Sequence, residues 1–209
     1  MSAATAVRFD QPRHVEPEDQ VRADYYALLA TLFYHAPDAP LLQAMVISAE
    51  PAGESANALA KAWAQLAAGS AVMTADAAAD EYEALFIGVG RPPVMLFGSF
   101  YLAGFMNEKP LAELRGDLAR MGYVRDARAT EPEDHLAALC DVMRAMILGD
   151  LEHPAAPIEL QKEFFSRHLQ PWVLQCCDAT TQNEKANYYV KVAAFARAFF
   201  EIEIEAFEM

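Results

Sequence analysis

Residues 19–34 read DQVRADYYALLATLFY and carry the clearest structural pattern in the chain. Large apolar side chains recur along this segment at the spacing of one helical face, at Val21, Tyr25, Leu28, Leu29, Leu32 and Phe33. The pattern stops before Pro37, so it predicts an amphipathic helix that packs one face into a core. Residues 1–18 contain Pro12 and Pro17 and little periodicity, and we expect a flexible lead-in there.

The same helical spacing returns along the rest of the chain, whereas the alternating pattern of a β-strand is almost absent. Capping residues and prolines predict further helix starts at Asp38, Gly53–Ser55, Thr74 or Asp76, Ser99, Asn107, Glu131–Pro132, Pro154 or Pro157, and Asn183. These segments give about eight to ten helices. We therefore predict an all-α fold, with a single globular multi-helix domain over residues 19–209.

The charge balance narrows the classes of partner. The chain has 30 acidic and 16 basic residues, for a net charge of −14, and 54% of its residues are apolar. This composition excludes disorder for most of the chain and argues against nucleic acid or an anionic membrane as the main partner. It suits a basic partner, although an acidic surface that only maintains solubility is the more ordinary explanation of the charge alone.

Neither a secretory signal in the first fifteen residues nor an apolar run long enough to span a membrane is visible. We therefore expect a cytoplasmic protein without stable membrane insertion. The three cysteines fit neither a zinc site nor a disulfide framework. Phosphate-binding loops, nucleotide fingerprints, nucleophile elbows and histidine metal motifs are also missing, so we predict no enzymatic activity, no metal and no cofactor. His135 and Cys140 are five residues apart and point away from each other on a helix.

Three polar and aromatic clusters remain as candidates for a binding site. The first is Glu131–His135, which by itself looks like an ordinary helix start with proline in the first turn and acids that complement the helix dipole. The second combines Tyr82–Phe86 with Phe97–Tyr101 across a proline- and glycine-containing loop, where a groove could open. The third, His168–Trp172, is typical of a helix that ends at a proline beside a packed tryptophan.

Taken together and in order, these clusters resemble the TorD/DmsD/NarJ-type family of redox-enzyme maturation chaperones. Glu131–Leu136 (EPEDHL) matches the family's E-P-x-D-H-[IL] signature, and Tyr82–Gly88 is similar to its aromatic-x-x-L-F-x-G segment. Phe97–Tyr101 (FGSFY) resembles its aromatic-[GE]-S-[VF]-aromatic segment. Phe165–Trp172 resembles its F-x-x-H-L-x-P-W stretch.

The resemblance implies a chaperone whose partner is the precursor of a molybdopterin-dependent oxidoreductase. Relatives bind the twin-arginine signal peptide, and often the body, of such an enzyme until its cofactor is inserted. Some relatives exchange parts of the fold between two copies, so a monomer or a domain-swapped dimer is implied, with the hinge around residues 123–131. The residues that would bind signal peptide and client are Tyr82, Leu85, Phe86, Phe97, Ser99, Tyr101, Glu131, Pro132, Asp134 and His135.

A twin-arginine leader has a basic segment followed by an apolar run, and its recognition requires acidic groups beside an apolar groove. Our hypothesis is that Asp134 pairs with a signal-peptide arginine while Tyr82, Phe86 and Phe97 line the apolar part. Two alternatives stay open at this point. One is a small helical enzyme or nucleotide-binding protein with a pocket around Asp134 and His135. The other is a plain acidic adaptor domain.

Overall fold

The computed structural model describes residues 15–48, 53, 55–88, 90–106, 108–125, 130–149 and 153–208. Within these ranges the regular structure is helical, and the only β-type pairing is one isolated bridge. The helices are α1 (Pro17–Tyr34), α2 (Ala39–Ile47), α3 (Ala58–Ser70), α4 (Ala75–Tyr82), a π-helical turn (Glu83–Ile87), α5 (Gly98–Ala103), α6 (Lys109–Arg120), α7 (Leu136–Leu148), α8 (Ile158–His168), α9 (Val173–Thr181) and α10 (Tyr188–Glu208). The predicted all-α fold is confirmed.

Two long helices organise the core. α1 packs along α7, and α10 packs against α3 and α9. The apolar face read from residues 19–34 is buried as predicted at Leu29, Leu32 and Phe33. Aromatic rings join α1 to α10, with Tyr26 edge-on to Phe199 at a centroid distance of 4.9 Å. Such ring contacts add specific geometry to the burial of apolar area.

Helix starts follow the predicted capping residues where a short polar side chain precedes the helix. Asp38 accepts a hydrogen bond from Leu41 N at 2.9 Å, and Thr74 accepts one from Ala77 N at 3.2 Å. α3 begins later than the predicted Gly53–Ser55 start because Asn57 is its cap. Asn107, the predicted cap of α6, lies outside the described residues.

The predicted helix start at Glu131–Pro132 is wrong. Residues 132–135 form a turn in which the backbone N–H of His135 donates to the carbonyl of Pro132 at 3.1 Å, and Glu131 lies just before it. α7 begins at Leu136, and the Nδ1 atom of His135 accepts the cap hydrogen bond from Ala137 N at 3.2 Å. The acidic run therefore precedes the helix instead of forming its first turn.

α10 also begins later than predicted, at Tyr188 and not near Asn183. The cause is a cap supplied from a distant helix. The Glu81 carboxylate at the end of α4 accepts hydrogen bonds from the backbone N–H groups of Asn187, Tyr188 and Tyr189, at 2.7, 3.0 and 2.8 Å. These are the donors that the first helical turn leaves without partners, and a negative charge there also complements the helix dipole.

The predicted segment boundaries are covered only in part. Of the lead-in predicted for residues 1–18, the structure describes residues 15–18, and Pro17 and Glu18 already belong to α1. Residues 126–129 of the predicted hinge lie outside the described ranges, so the hinge stays a prediction.

A buried ion pair ties the first helix to the last. The Glu203 carboxylate, only 2% exposed, accepts hydrogen bonds from Nε and Nη2 of Arg22 at 2.8 and 2.9 Å. It also accepts one from the Tyr26 hydroxyl at 2.9 Å. Removing one partner of such a pair leaves the other charge desolvated without compensation.

We expect Glu203→Gln to lower the free energy of unfolding by about 2 kcal/mol, because Arg22 loses its buried counter-charge. Urea unfolding curves give this quantity. The matched control is Glu205→Gln, which changes an exposed acid two residues away and should shift stability by less than about 0.5 kcal/mol. Equal effects of the two substitutions would contradict the assignment.

The cap of α7 makes stability depend on pH. Burial lowers the pKa of His135 to about 4, so the folded protein keeps this imidazole neutral where an unfolded chain protonates it. The unfolded state therefore binds more protons between about pH 4 and 6.5, and stability falls as the pH decreases through this window. The contribution at stake is about 3 kcal/mol.

We expect His135→Asn to flatten this part of the pH profile, because asparagine can still cap the helix but does not titrate. The measurement is the difference in unfolding free energy between the two proteins at several pH values from 4 to 7. That difference should shift in favour of the variant as the pH falls. A constant difference across the window would show that His135 is not held neutral.

Candidate functional site

Two of the sequence motifs meet through a short backbone pairing. The backbone N–H of Leu136 donates to the carbonyl of Leu96 at 2.8 Å, and that of Gly98 donates to the carbonyl of Asp134 at 2.9 Å. Phe97 and His135 form the isolated antiparallel bridge between these bonds, and their rings pack edge-on at 5.0 Å. The FGSFY and EPEDHL motifs, far apart in the sequence, therefore form one wall.

Asp134 is buried behind this wall. Asp134 is only 4% exposed, and its Oδ2 atom accepts a hydrogen bond from the backbone N–H of Ser99 at 2.8 Å. The carboxylate thus stabilises the first turn of α5. Asp134 Oδ1 and Ser99 Oγ are both buried, and neither has a hydrogen-bond partner within the described residues.

The third motif packs on the other side of α5. The indole Nε1 of Trp172 donates to the carbonyl of His168 at 2.7 Å, and its ring stacks on Tyr101 at 5.4 Å. A Cβ atom at Gly98 would lie 2.9 Å from Trp172 Nε1, so only glycine allows this approach. Tyr101 is one of the residues predicted to bind the client. In the structure its ring packs on Trp172, and this contact supports the wall from behind.

The π-helical turn supplies the facing wall. The backbone N–H of Gly88 closes the turn onto the carbonyl of Glu83 at 2.9 Å, and Gly88 has a φ of +54° that favours glycine. Leu85 is fully buried and accepts a backbone hydrogen bond from Val94. Phe86 packs edge-on against Phe33.

Tyr82 is anchored by its hydroxyl group. The hydroxyl donates to the carbonyls of Phe33 and Tyr34 at the end of α1, at 3.1 and 2.7 Å. Burial, with a smaller effect from the Glu131 carboxylate, raises the pKa of Tyr82 above its usual range. The hydroxyl group is thus occupied by hydrogen bonds within the protein, so Tyr82 can contact a ligand through its ring.

Between these walls lies a cavity of about 450 Å³, which we call the aromatic cavity. It is lined by Tyr34, Tyr82, Phe86, Ile87, Pro92, Met95, Leu96, Phe97, Met106, Thr130, Glu131 and His135. Five of the ten predicted site residues are among them: Tyr82, Phe86, Phe97, Glu131 and His135. The sequence reasoning missed the other seven. Among these, Tyr34 had an available signal, because it lies at the end of α1, where backbone carbonyls need partners from elsewhere.

The three acids of the EPEDHL motif have different environments. Asp134 stabilises α5, as described above. Arg115 contacts Glu133 at 2.8 Å, and although burial acts to raise the pKa of Glu133, the hydrogen bond from Arg115 lowers it. Glu131 is half-buried, lines the aromatic cavity and makes no hydrogen bond or ion pair within the described part of the chain. It is therefore the acid of this motif whose charge is available to a ligand.

The described residues offer little to the enzyme alternative. They contain no group of three or more His, Cys, Asp or Glu that could hold a metal ion. Cys140 is fully buried, and burial raises the pKa of its thiol well above the usual value, which disfavours the thiolate. In the same ranges, no helix has the length and hydropathy needed to cross a bilayer.

Curated relatives are similar over part of the chain. The TorD chaperone protein of Vibrio cholerae serotype O1 is 30% identical over 123 residues, which is 56% of this chain and 56% of the relative. The TorD chaperone protein of Vibrio parahaemolyticus is 27% identical over 126 residues, or 57% and 59% of the two chains. The matched region thus spans less than two thirds of these relatives.

A solved structure shares the fold. It is that of an Archaeoglobus fulgidus protein described as a redox enzyme maturation protein, and it covers 93% of this chain and 99% of its own, with a TM-score of 0.52 and 17% identity. The model of the nitrate reductase delta subunit family matches residues 52–178, which is more than half of the chain. This range contains the four motifs Tyr82–Gly88, Phe97–Tyr101, Glu131–Leu136 and Phe165–Trp172. The chain therefore belongs to the nitrate reductase delta subunit family, which includes TorD- and NarJ-type proteins.

Proposed function

We propose that this protein is a cytoplasmic chaperone that binds the twin-arginine signal peptide of a molybdopterin-dependent oxidoreductase precursor and assists its maturation before export. One observation carries the proposal: an aromatic cavity beside the Glu131 carboxylate, which makes no hydrogen bond or ion pair within the described ranges. The curated relatives, which are named as chaperones and not as enzymes, support the same class of function. In this proposal the chain has no catalytic step.

The cavity suits the apolar run of a leader peptide. Its volume of about 450 Å³ is within the usual range of ligand pockets, which is about 300–1,000 Å³. Ile87 is 52% exposed at its edge, so a large apolar side chain already faces solvent there. Covering this side chain with peptide would remove apolar area from water, which favours binding.

Glu131 suits the arginine of the same peptide. A guanidinium group beside this half-buried carboxylate would form a charge-assisted hydrogen bond, which is stronger than a neutral one. Asp134 is less accessible, because its carboxylate is buried and accepts the Ser99 hydrogen bond. Direct pairing of Asp134 with arginine stays a prediction, and we propose that Asp134 instead holds α5 in the position that forms the cavity wall.

We expect Glu131→Gln to weaken binding of a synthetic leader peptide about tenfold, because a charge-assisted hydrogen bond is lost. The peptide carries two consecutive arginines followed by an apolar run, and isothermal titration calorimetry gives its affinity. Glu184→Gln makes the same change of net charge at an exposed site away from the cavity and should leave affinity unchanged.

The apolar part is tested in the same assay by Ile87→Ser, which we expect to weaken binding about fivefold through lost apolar burial. Val72→Ser is its control, since Val72 is 85% exposed outside the cavity. Normal affinity in both Glu131→Gln and Ile87→Ser would contradict the proposed site. Equal affinity for a peptide without arginines would instead favour a plain adaptor.

A separate prediction distinguishes the two acids. Asp134→Asn keeps an oxygen that can accept the Ser99 hydrogen bond, and asparagine caps helices nearly as well as aspartate. We therefore expect peptide affinity to change by less than about twofold, whereas Asp134→Ala should lower the free energy of unfolding by about 1 kcal/mol. A loss of affinity in Asp134→Asn as large as that in Glu131→Gln would show that Asp134 meets the arginine directly.

A further inference from the structure

A second cavity shares Glu131 with the aromatic cavity. It has a volume of about 310 Å³ and lies between α6 and α7, and we call it the α7 cleft. Its apolar walls include Leu118 from α6, Tyr123 from the segment after α6, and Val142 from α7. Because Glu131 lines both cavities, the aromatic cavity and the α7 cleft are neighbours at this residue.

Acidic side chains outnumber basic ones among the described residues that line the α7 cleft. They are the carboxylates of Glu131, Glu133 and Asp141, beside the guanidinium of Arg125, while the guanidinium groups of Arg115 and Arg144 lie next to Glu133 and Asp141. Glu133 is already paired with Arg115. Asp141 is exposed on α7 and makes no ion pair or hydrogen bond within the described residues, although Arg144 lies close enough for its field to act on Asp141.

Apolar walls with an acidic rim match one kind of side chain in particular. Arginine and lysine have aliphatic stems that pack on apolar surface while their charged ends reach polar groups. Arginine also presents a planar set of donors that fits a carboxylate. The α7 cleft therefore complements a basic segment, whereas the aromatic cavity complements an apolar one.

We propose that the α7 cleft binds the basic end of the same peptide whose apolar run occupies the aromatic cavity, with the peptide crossing at Glu131. This inference rests on the proposed function and adds a direction to it. The basic residues lie toward Asp141 in the middle of α7, and the apolar residues lie toward Phe86 and Ile87. Asp141 becomes a specificity-determining residue that distinguishes a basic leader from an apolar segment without charge.

The test is a double-mutant cycle between Asp141 and the charge of the peptide. One peptide carries the two arginines, and the other carries citrulline, a neutral analogue of similar shape, at both positions. We expect Asp141→Asn to weaken binding of the arginine peptide about threefold to fivefold, as for an exposed ion pair, and to leave the citrulline peptide unaffected. Asp80→Asn, an exposed acid on α4 outside both cavities, is the matched control.

A second variant tests whether the peptide occupies the α7 cleft, without changing any charge. Ala145→Leu adds a branched side chain to a half-buried wall of the α7 cleft and should weaken binding of the arginine peptide by obstruction. Circular dichroism and thermal unfolding check that the variants remain folded.

The outcomes separate this inference from the proposed function. Weaker binding in Glu131→Gln and Ile87→Ser, with normal binding in Asp141→Asn and Ala145→Leu, would overturn the α7 cleft alone. Normal binding in all four would overturn the proposed function as well. If Asp141→Asn or Ala145→Leu changed only the sedimentation mass of the protein, the cleft would be a contact between two copies of the chain, which also overturns the inference.

Discussion

The candidate site depends on the backbone pairing of Leu96–Ser99 with Asp134–Leu136. The donors Gly98, Ser99 and Leu136 open α5 and α7, and the first backbone N–H groups of a helix have no partner within it, so each segment supplies hydrogen-bond acceptors that the other needs. The pairing brings Phe97 beside His135 and directs the Asp134 carboxylate to the start of α5. The close approach of Trp172 to Gly98 then holds α5 from behind. Without this pairing the aromatic cavity would lack one of its walls.

Local signals in the sequence predicted the helices well but placed the starts of α3, α7 and α10 too early. Asp38 and Thr74 act as caps because a short polar side chain before an apolar run can accept a hydrogen bond from the first turn of the helix. Glu131–Asp134 carries an equally good signal for a helix start, yet the helix begins after it. The deciding interaction, from Asp134 to Ser99, joins residues 35 positions apart, and a local pattern contains no information about it. The same reason explains why the cap from Glu81 moved the start of α10.

The sequence predicted the types of residue that form the site better than it predicted how they are arranged. The sequence indicated aromatic rings beside acids, and the structure places Tyr82, Phe86, Phe97, Glu131 and His135 around one cavity. It also assigns different tasks to neighbouring acids: Asp134 stabilises a helix, Glu133 is paired with Arg115, and Glu131 makes no ion pair or hydrogen bond with any described residue. The net charge of −14 therefore says little about the site, because the function proposed for it uses one or two carboxylates that make no ion pair with the part of the chain that the structure describes.

The central claim is that the aromatic cavity holds the apolar run of a leader peptide, and intermolecular nuclear Overhauser effects test it most directly. The protein would be methyl-labelled at isoleucine, valine and methionine and bound to an unlabelled peptide. The account predicts contacts from the apolar side chains of the peptide to the methyl groups of Ile87 and Met106, which line the cavity. Contacts to exposed methyl groups elsewhere, such as those of Ile47 and Val72, with none to Ile87 or Met106, would contradict it.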